Sequence, residues 1–368
     1  MTGPRHAPLR LAVLTDAPRV AGSEIWLLDV LPLLREQGIQ ASVFLPHGAA
    51  LDELARRCAE RGLEVTRHDG VGTLGPATAS FDLRLLQAWE PHTYAAAQAN
   101  LATPYLTVVH DQLDYHYPLG LKALFRLIYA VTKARPLRRV GTVVTVSRWG
   151  QAFLERRMRL RGVLGVTNGV DTAVFAPAPA EARAALRRHL GFDTFTVLVP
   201  GRFALEKNQL AAVLAARHCP DLTFVFVGDM DSPLGTAARL LTRRLRLTNV
   251  RFLGRRWDMS TLYQAADVLL QPTLAENQSL VTLEAMASGL PVVTTAIPAQ
   301  AELVRDGVDG LLVPPQPQLL AQALRALAQA PLQTAQLGRQ ARERVLSSHR
   351  LEHTAAQVAD LIHRAARP

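Results

Sequence analysis

The sequence has little of what marks disulfide-stapled or membrane-spanning proteins. Its 368 residues include only two cysteines, Cys58 and Cys219, which lie far apart and offer neither a disulfide framework nor a metal knuckle. No uninterrupted apolar run approaches the roughly 18 residues that a bilayer span needs. Residues 1–8 also lack the apolar core of a signal peptide. These absences predict a cytoplasmic chain that is not an integral membrane protein.

Metal-ligand patterns are equally sparse. His349, Glu352 and His353 spell H-x-x-E-H, which some zinc proteases use, but no third ligand accompanies them. Asp229 and Asp231 form a D-x-D pattern, which holds a divalent metal in some enzymes but also recurs by chance in unrelated loops. We interpret the first pattern as part of a solvated terminal helix and the second as a loop, and we predict no metal site.

Acidic residues are nearly absent between Tyr115 and Val170. This window holds eleven basic residues and a single acid, Glu155, so it carries the whole net charge of +10. From Pro118 to Arg139, apolar residues are interspersed among the cations in a pattern typical of a helix. Residues 115–161 could bind an anionic membrane surface, which would attach the protein peripherally to its inner face, or could form a basic face whose apolar side packs in the core. No nucleic-acid motif accompanies the charge, which disfavours nucleic acid as a partner.

The length and the order of apolar segments predict two α/β domains, because 368 residues exceed what one core usually supports. The first series opens with a strand, a turn, a helix and a strand at residues 9–15, 16–24, 25–37 and 40–45. This order is a βαβ unit. Gly22 in its turn would let the backbone approach a ligand at the carboxyl end of the first strand.

A second βα series follows a linker at residues 172–181 that contains Pro177 and Pro179. Its strands are predicted at residues 196–199, 223–227, 250–253, 268–271 and 291–295. Two such series imply two Rossmann-like domains that face each other across a cleft. The alanine- and leucine-rich residues 317–366 predict a terminal helix.

The stretch from Pro272 to Thr295 joins a carboxylate-bearing loop to a helix and a β-branched strand. Glu276 and Glu284 stand eight residues apart, and Ser279 lies where the helix would begin. A loop that enters a helix presents unpaired N–H groups and the positive end of the dipole, which suit a phosphate. Carboxylates beside that place would accept hydrogen bonds from sugar hydroxyls. The pair alone also allows two solvated glutamates on a surface helix.

Two cations and a histidine follow predicted strands. Arg202 and Lys207 lie on the first loop of the second series, and Lys207 is one of only three lysines among 41 basic residues. With the helix start near Ser279 they could neutralise a diphosphate, since a guanidinium fork and a compact ammonium suit that group. His110 follows the strand at 105–109 and would point into the cleft of an open α/β sheet. Solvated charges and a surface histidine are the alternatives.

Taken in order, these motifs resemble the retaining glycosyltransferases of the GT-B fold, in the large E-x7-E family (glycosyl transferases group 1, family 4-like). The resemblance covers nearly the whole chain and is carried by residues 22–24, 110–111, 146–147, 168–171, 201–207, 252–254, 276–293 and 306–313. It implies an acceptor-side domain at 1–172, joined by a returning C-terminal helix at 348–368. A nucleotide-sugar-binding domain at 173–347 would face it across an interdomain cleft.

The resemblance also implies roles for the matching residues of the second domain. Arg202 and Lys207 would hold the donor diphosphate. Backbone N–H groups near Ser279 and Leu280 would help them, and Glu284 would bind the ribose hydroxyls.

The remaining implied contacts concern the donor sugar and the base. Glu276 would face the donor sugar, and so would His110 from the first domain. The backbone around Gly254 and Arg255 would read the base, while Gly22 would lie close to the phosphates. The implied catalytic set is thus His110, Glu276, Arg202 and Lys207.

The implied reaction is transfer with retention from a nucleotide-diphosphate sugar to an unidentified acceptor, lipid-linked or membrane-proximal, giving an α-linkage without a metal or another cofactor. The family often has a glycine-containing turn after the first glutamate, where this chain has Asn277, Gln278 and Ser279. A GT-B-type disaccharide phosphorylase, a nucleotide-sugar epimerase and a non-catalytic sugar-nucleotide-binding protein are alternatives that similar residues allow.

Overall fold

The structure of the protein is a computed structural model that describes residues 7–116 and 122–366. The chain divides into two compact units. The first contains the described residues of Met1–Leu113, Ala123–Asn168 and Leu351–Pro368, and the second contains those of Asp114–Lys122 and Gly169–Arg350. Each unit is built on its own parallel sheet.

The strands and helices of the described residues alternate along most of the chain. The strands are β1 Leu9–Thr15, β2 Ile39–Pro46, β3 Glu64–His68, β4 Leu83–Gln87, β5 Tyr105–Val109, β6 Thr142–Thr145, β7 Leu164–Gly165, β8 Thr196–Pro200, β9 Thr223–Val227, β10 Val250–Phe252, β11 Val268–Gln271, β12 Val292–Thr295 and β13 Leu311–Val313. The α-helices are α1 Gly22–Leu34, α2 Asp52–Glu60, α3 Gly75–Thr78, α4 Pro91–Asn100, α5 Lys122–Tyr129, α6 Arg135–Leu137, α7 Arg148–Arg156, α8 Ala180–Leu190, α9 Gln209–Arg217, α10 Pro233–Arg244, α11 Met259–Ala265, α12 Leu280–Ala287, α13 Pro298–Leu303, α14 Pro317–Gln329, α15 Pro331–Ser348 and α16 Leu351–Ala365. Single 3₁₀ turns lie at Arg35–Gln37, Ala49–Leu51, Val71–Thr73 and Leu205–Lys207, and a π-helical segment at Ala130–Ala134 joins α5 to α6.

Both sheets have the order of doubly wound α/β folds. The first has seven strands in the order β3-β2-β1-β4-β5-β6-β7, and the second has six in the order β10-β9-β8-β11-β12-β13. In the second sheet Leu198 of β8 lies opposite Val225 of β9 and Leu269 of β11, in parallel register. The strand order reverses beside β1 and beside β8, and open α/β sheets place their ligands outside the carboxyl ends of the strands at such points.

The second sheet is buried on both faces. Val197 and Val199 pack into the apolar core on one face and Leu198 into the core on the other, because successive side chains of a strand point to opposite sides. All three are at most 1% exposed. Burial on both faces explains why β8 reads as a continuous apolar run in the sequence.

The predicted α/β class, with two Rossmann-like units, is confirmed. Strands β1, β5, β9 and β11 have the predicted bounds. Helix α1 begins at Gly22 and not at Ile25, because the Glu24 carboxylate accepts the N–H of Ala21 at 3.0 Å and closes an additional first turn. Gly38, with φ of 74°, ends the 3₁₀ turn that follows α1.

Helix α8 overlaps the end of the predicted linker, and helix α10 follows the D-x-D segment, which is a loop as predicted. Helix α8 begins at Ala180, inside the segment interpreted as a linker, because Pro179 occupies its N-cap and leaves the helical hydrogen bonds intact. Helix α10 directly follows the D-x-D loop. It has Pro233 in its first turn, and the Ser232 hydroxyl accepts the N–H of Gly235 at 3.1 Å.

The terminal segment predicted as one helix over 317–366 consists of α14, α15 and α16. Helix α16 belongs to the first unit, where the Thr354 hydroxyl donates to the carbonyl of Thr167 at 2.8 Å. His349 precedes α16 whereas His353 lies within it, so the H-x-x-E-H residues do not share one helix face. Among the described residues, none of the helices is long and apolar enough to cross a bilayer.

We expect Gly228→Ala to lower the free energy of unfolding by about 3 kcal/mol, because its backbone conformation is nearly restricted to glycine and overlap adds to that strain. Its φ is 144°, and a Cβ atom would lie 2.3 Å from the carbonyl oxygen of Gly201. Urea unfolding measures the loss. The matched control is Gly307→Ala, with φ of 71° and no atom within 4 Å of the added Cβ. The control should cost about 1 kcal/mol, and equal small losses for both variants would contradict the account.

Candidate functional site

The candidate site lies at the carboxyl edge of the second sheet. The loops after β8, β10 and β11 start from neighbouring parts of this sheet and therefore meet at one edge. These loops and helix α12 carry all the predicted site residues of the second unit, which are Arg202, Lys207, Gly254, Arg255, Glu276, Ser279, Leu280 and Glu284.

Backbone hydrogen bonds tie the loops after β8, β9 and β10 together. The N–H of Phe203 donates to the carbonyl of Asp229 at 3.0 Å, and the N–H of Gly228 donates to the carbonyl of Gly254 at 2.8 Å. Gly254 has φ of 69°, which favours glycine. The loop predicted to read the base is therefore fixed to the loop that carries Arg202.

Arg202 is held at both its side chain and its backbone. Its guanidinium pairs with the buried carboxylate of Glu206, and its carbonyl accepts the side-chain amide of Gln209 at 2.6 Å. The Arg202 side chain still has 28% of its surface exposed. A guanidinium has five N–H donors in a planar fork, so one carboxylate leaves donors for a further anion.

An ion pair joins the loop after β8 to the loop after β11. Lys207 Nζ contacts Glu276 Oε1 directly, and the side chains are only 16% and 7% exposed. Gln271 Nε2 lies 3.4 Å from the same carboxylate oxygen. Asn208, in the left-handed region with φ of 53°, donates its side-chain amide to the carbonyl of Pro272 at 3.1 Å and links the loops a second time.

The start of α12 has backbone N–H groups that suit an anion. The Ser279 hydroxyl accepts the N–H of Thr282 at 3.3 Å, which satisfies one of the first N–H groups of the helix. The N–H groups of Leu280 and Val281 have no acceptor within the helix, because the first turn of any α-helix lacks them. They lie after the loop that carries Glu276, so a phosphate here would meet both N–H groups and the nearby Lys207.

The turn from Asn277 to Ser279 does not need the glycine that the family often has there. Ser279 has φ of −83°, and Asn277 and Gln278 are not among the described residues with positive φ. Asn277 and Gln278 are 3% and 7% exposed. Gln278 Nε2 lies 3.4 Å from Glu302 Oε1. Side chains and ordinary backbone angles hold this turn, where the family often uses glycine.

Glu284 is oriented by a tyrosine that the sequence did not single out. The Tyr263 hydroxyl donates to Glu284 Oε2 at 2.7 Å, and the Tyr263 ring packs edge-on against Phe175 at 5.9 Å between centroids. Burial and the negative charge of Glu284 both raise the pKa of Tyr263, which lies well above its usual range. Tyr263 therefore stays protonated, and its hydroxyl fixes the orientation of the Glu284 carboxylate.

The D-x-D segment pairs with the loop predicted to read the base. Asp229 Oδ1 accepts the N–H of Asp231 at 2.9 Å, and Asp229 Oδ2 lies 3.4 Å from Arg255 Nη2. Within residues 7–116 and 122–366, no group of three or more His, Cys, Asp or Glu side chains is placed to hold a metal ion.

His110 and Gly22 lie at the carboxyl edge of the first sheet. The His110 ring packs edge-on against Trp26 at 5.3 Å, and His110 Nε2 lies 2.9 Å from Gln87 Nε2. Burial lowers the pKa of His110 to about 3, so the ring is neutral at physiological pH. Gly22 is the first residue of α1.

A buried glutamate follows Gly22 in the same turn. Glu24 accepts hydrogen bonds from the Ser23 hydroxyl at 2.9 Å, the N–H of Ala21 at 3.0 Å and the Trp89 indole at 3.2 Å. Burial outweighs these donors and raises the pKa of Glu24 to about 7. The predicted role of Gly22 beside the phosphates stays a prediction, as do the roles of the other site residues.

Comparison with solved structures identifies the fold of the protein. HepE of Anabaena, solved in complex with UDP-glucose, superposes with a TM-score of 0.83 over 97% of this chain and 100% of that chain, at 22% identity. The two parallel sheets are those of the GT-B fold. The predicted GT-B architecture is confirmed.

Part of the second unit matches a known family. Residues 194–330 match the family described as Glycosyl transferases group 1. A D-inositol 3-phosphate glycosyltransferase of Corynebacterium urealyticum is 34% identical over 212 residues, which are 53% of this chain and 50% of that protein. The UDP-Gal:alpha-D-GlcNAc-diphosphoundecaprenol alpha-1,3-galactosyltransferase of Escherichia coli is 31% identical over 159 residues, 40% of each. The matched part spans half the length of these relatives or less.

Sequence reasoning missed the side chains that position the predicted site residues. Glu206 lies in the stretch 201–207 that carries the resemblance but has no predicted role, and Gln209, Tyr263 and Gln271 are not among the predicted site residues. Two of them carried a local signal: Glu206 is four residues from Arg202 and Gln271 is five from Glu276. Tyr263 lies 21 residues before Glu284, and only the tertiary packing of α11 brings it there.

The raised pKa of Glu24 predicts a pH dependence of stability. Between the ordinary pKa of 4.5 and about 7 the folded state binds the proton more tightly than the unfolded chain does. The free energy of unfolding should therefore fall as the pH rises through this window, by about 3 kcal/mol for the full shift. We expect Glu24→Gln to lack this decrease when urea unfolding is measured at each pH.

His110 has the opposite effect, because its lowered pKa adds stability as the pH rises toward 6.5. It is present in both proteins, so the difference between wild type and Glu24→Gln isolates Glu24. A difference that does not change with pH would contradict the assignment.

Proposed function

We propose that the protein is a retaining glycosyltransferase that transfers a sugar from a nucleotide-diphosphate sugar to an acceptor hydroxyl, with an α-linkage. The observation that carries this proposal is the ion pair of Lys207 and Glu276, beside Arg202 and the start of α12. The cations and N–H groups suit a diphosphate, while the carboxylate beside them suits sugar hydroxyls. The family of residues 194–330 supports the same activity.

The donor is a nucleotide sugar in this proposal. HepE was solved with UDP-glucose, which supports a donor of this class. Glu284, which the Tyr263 hydroxyl orients, would accept the ribose hydroxyls, and the backbone around Gly254 and Arg255 would contact the base. Lys207, Arg202 and the N–H of Leu280 would hold the diphosphate, and Gly22 would approach it from the first unit's turn.

The proposed step is a substitution on one face of the donor sugar. The bond from the anomeric carbon to the diphosphate oxygen breaks, and the bond to the acceptor oxygen forms on the same face. The acceptor proton passes to the departing phosphate oxygen, which serves as the base. Arg202 and Lys207 would stabilise the negative charge that develops on the diphosphate, an effect that is larger in a preorganised and partly buried site. No metal takes part in this proposal.

Glu276 and His110 complete the proposed catalytic set by contacting the donor sugar. Glu276 is anchored by Lys207 and by Gln271, so its carboxylate cannot rotate freely. His110 would act as a neutral hydrogen-bonding ring and not as an acid, since burial lowers its pKa to about 3.

We place the acceptor among lipid-linked or membrane-proximal molecules. The Escherichia coli relative is named for a diphosphoundecaprenol-linked acceptor and for an α-1,3 linkage, which supports both parts of the proposal. A cytoplasmic protein attached peripherally to the inner membrane face would meet such an acceptor.

The test of the function is a panel of nucleotide sugars with the purified protein. We expect one donor to raise the melting temperature and to be hydrolysed slowly without an acceptor. Once an acceptor is found, NMR of the product should show the α-anomer. Turnover that requires inorganic phosphate would indicate a phosphorylase, and isomerised nucleotide sugar an epimerase. Stabilisation without turnover would indicate a binding protein.

We predict that Lys207→Ala and Arg202→Ala each lower turnover about a hundredfold or more, the effect of losing one preorganised donor. The measurement is the rate of nucleoside diphosphate release from the donor identified by the panel. Arg243→Ala, an exposed arginine on α10, is the control and should retain the wild-type rate. Near-normal rates in both site variants would refute the diphosphate assignment.

Tyr263→Phe should raise the dissociation constant of the nucleotide about tenfold, because the Glu284 carboxylate loses the donor that orients it and one such hydrogen bond contributes about 1.4 kcal/mol. Isothermal titration with the nucleoside diphosphate measures this change. Tyr94→Phe is the matched control, because the Tyr94 hydroxyl is buried in the first unit and lies 3.4 Å from the carbonyl of Ala88. A tenfold change in the control as well, or none in Tyr263→Phe, would contradict the role.

A further inference from the structure

An unusual surface lies on α5 and the π-helical segment that follows it. Leu124, Leu127, Ile128 and Val131 are 51%, 62%, 47% and 56% exposed. Their spacing of three, four and seven residues places them on one helix face. We call these four residues the apolar stripe. Scattered exposed aliphatic residues are ordinary, but a contiguous row marks an interaction surface.

The apolar stripe is distinct from the side of the same segment that packs in the core. Tyr129, Ala134 and Leu137 are at most 8% exposed and belong to the apolar core of the first unit. The sequence left open whether the apolar residues of this segment pack inside or face outward. In the structure Tyr129, Ala134 and Leu137 pack in the core, whereas the apolar stripe faces outward.

The cations beside the stripe are three arginines. Arg135, Arg138 and Arg139 are exposed, and Arg135 follows Val131 by four residues. Residues 122–140 contain no acidic residue. This row of arginines is the charged margin of the apolar stripe.

The two lysines of the segment contact polar groups within the protein. Lys122 Nζ lies 3.6 Å from the buried carboxylate of Asp114. Lys133 Nζ lies 3.3 Å from Asp111 Oδ1 and also contacts the carbonyl of Trp89. Neutralising either lysine would disturb the fold and would not report on a surface partner.

We propose that the apolar stripe and its arginine margin dock on an anionic lipid bilayer. Aliphatic side chains on one helix face, bordered by cations, match the boundary between acyl chains and anionic headgroups. The charge argues against a second copy of the chain, because residues 122–140 contain no acidic residue and a second stripe would offer the arginines no carboxylate. The proposed membrane docking goes beyond the proposed transferase activity and does not depend on it.

The test is sedimentation of the full chain with vesicles at low salt. We expect binding to vesicles of equal parts phosphatidylcholine and phosphatidylglycerol, and little binding to phosphatidylcholine alone. Replacing Arg135 and Arg139 by Gln should weaken binding about thirtyfold, because each cation contributes about 1 kcal/mol near an anionic surface. Arg138 is kept, because its Nη2 donates to the carbonyl of Met158 at 2.7 Å. Leu127→Gln with Val131→Gln should weaken it at least about tenfold. Added salt should weaken binding of the wild type.

The second unit offers matched controls. Arg243 and Arg244 are exposed there, and their replacement by Gln changes the net charge equally. Leu332→Gln removes an aliphatic side chain that is 87% exposed. Both controls should bind like the wild type, and all variants should keep the wild-type melting temperature.

Three outcomes would overturn the proposal. They are equal binding to neutral and anionic vesicles, equal losses in the variants and their controls, and a wild-type dimer that the Leu127 and Val131 variant abolishes. Donor hydrolysis measured without vesicles should be unchanged in the stripe variants. A failure of the membrane proposal is thereby separable from a failure of the proposed enzyme activity.

Discussion

The ion pair between Lys207 and Glu276 is the constraint on which the rest of the candidate site depends. Removing an ammonium and a carboxylate from water costs several kcal/mol for each ion, so the two must stay in contact. That contact requires the loops after β8 and β11 to be held in register. The parallel pairing of these strands and the bond from the N–H of Leu274 to the carbonyl of Glu206, at 2.7 Å, provide this register. Arg202, paired with Glu206, is fixed by the same loops.

The sequence predicts the parts of the fold that burial determines. β11 is buried at every residue, and its apolar run marked it with the observed bounds. Helix α8 shows the opposite case, since none of its residues is buried and its sequence carries little apolar periodicity. Because Pro177 and Pro179 precede this helix, the sequence predicted a linker there. The apolar stripe is a third case, because outward and inward apolar faces have the same sequence pattern and only the observed exposure distinguishes them.

The site was predictable where its residues follow strands and not where tertiary packing selects their partners. Each predicted cation and carboxylate of the second unit lies at the carboxyl edge of its sheet, as the order of strands and loops requires. The hydrogen bond of Tyr263 to Glu284 depends on how α11 packs beside α12, which no local pattern records. The turn at Asn277 is a similar case. The sequence shows that the turn has no glycine, but it does not show which side-chain contacts stabilise its ordinary backbone angles.

A crystal structure with a bound nucleoside diphosphate would test the central claim most directly. The account predicts phosphate oxygens within about 3 Å of Lys207 Nζ, the Arg202 guanidinium and the N–H of Leu280. It also predicts ribose hydroxyls within hydrogen-bond distance of the Glu284 carboxylate. A diphosphate bound away from Lys207, or a ribose that does not contact Glu284, would contradict the assignment of this edge as the donor site.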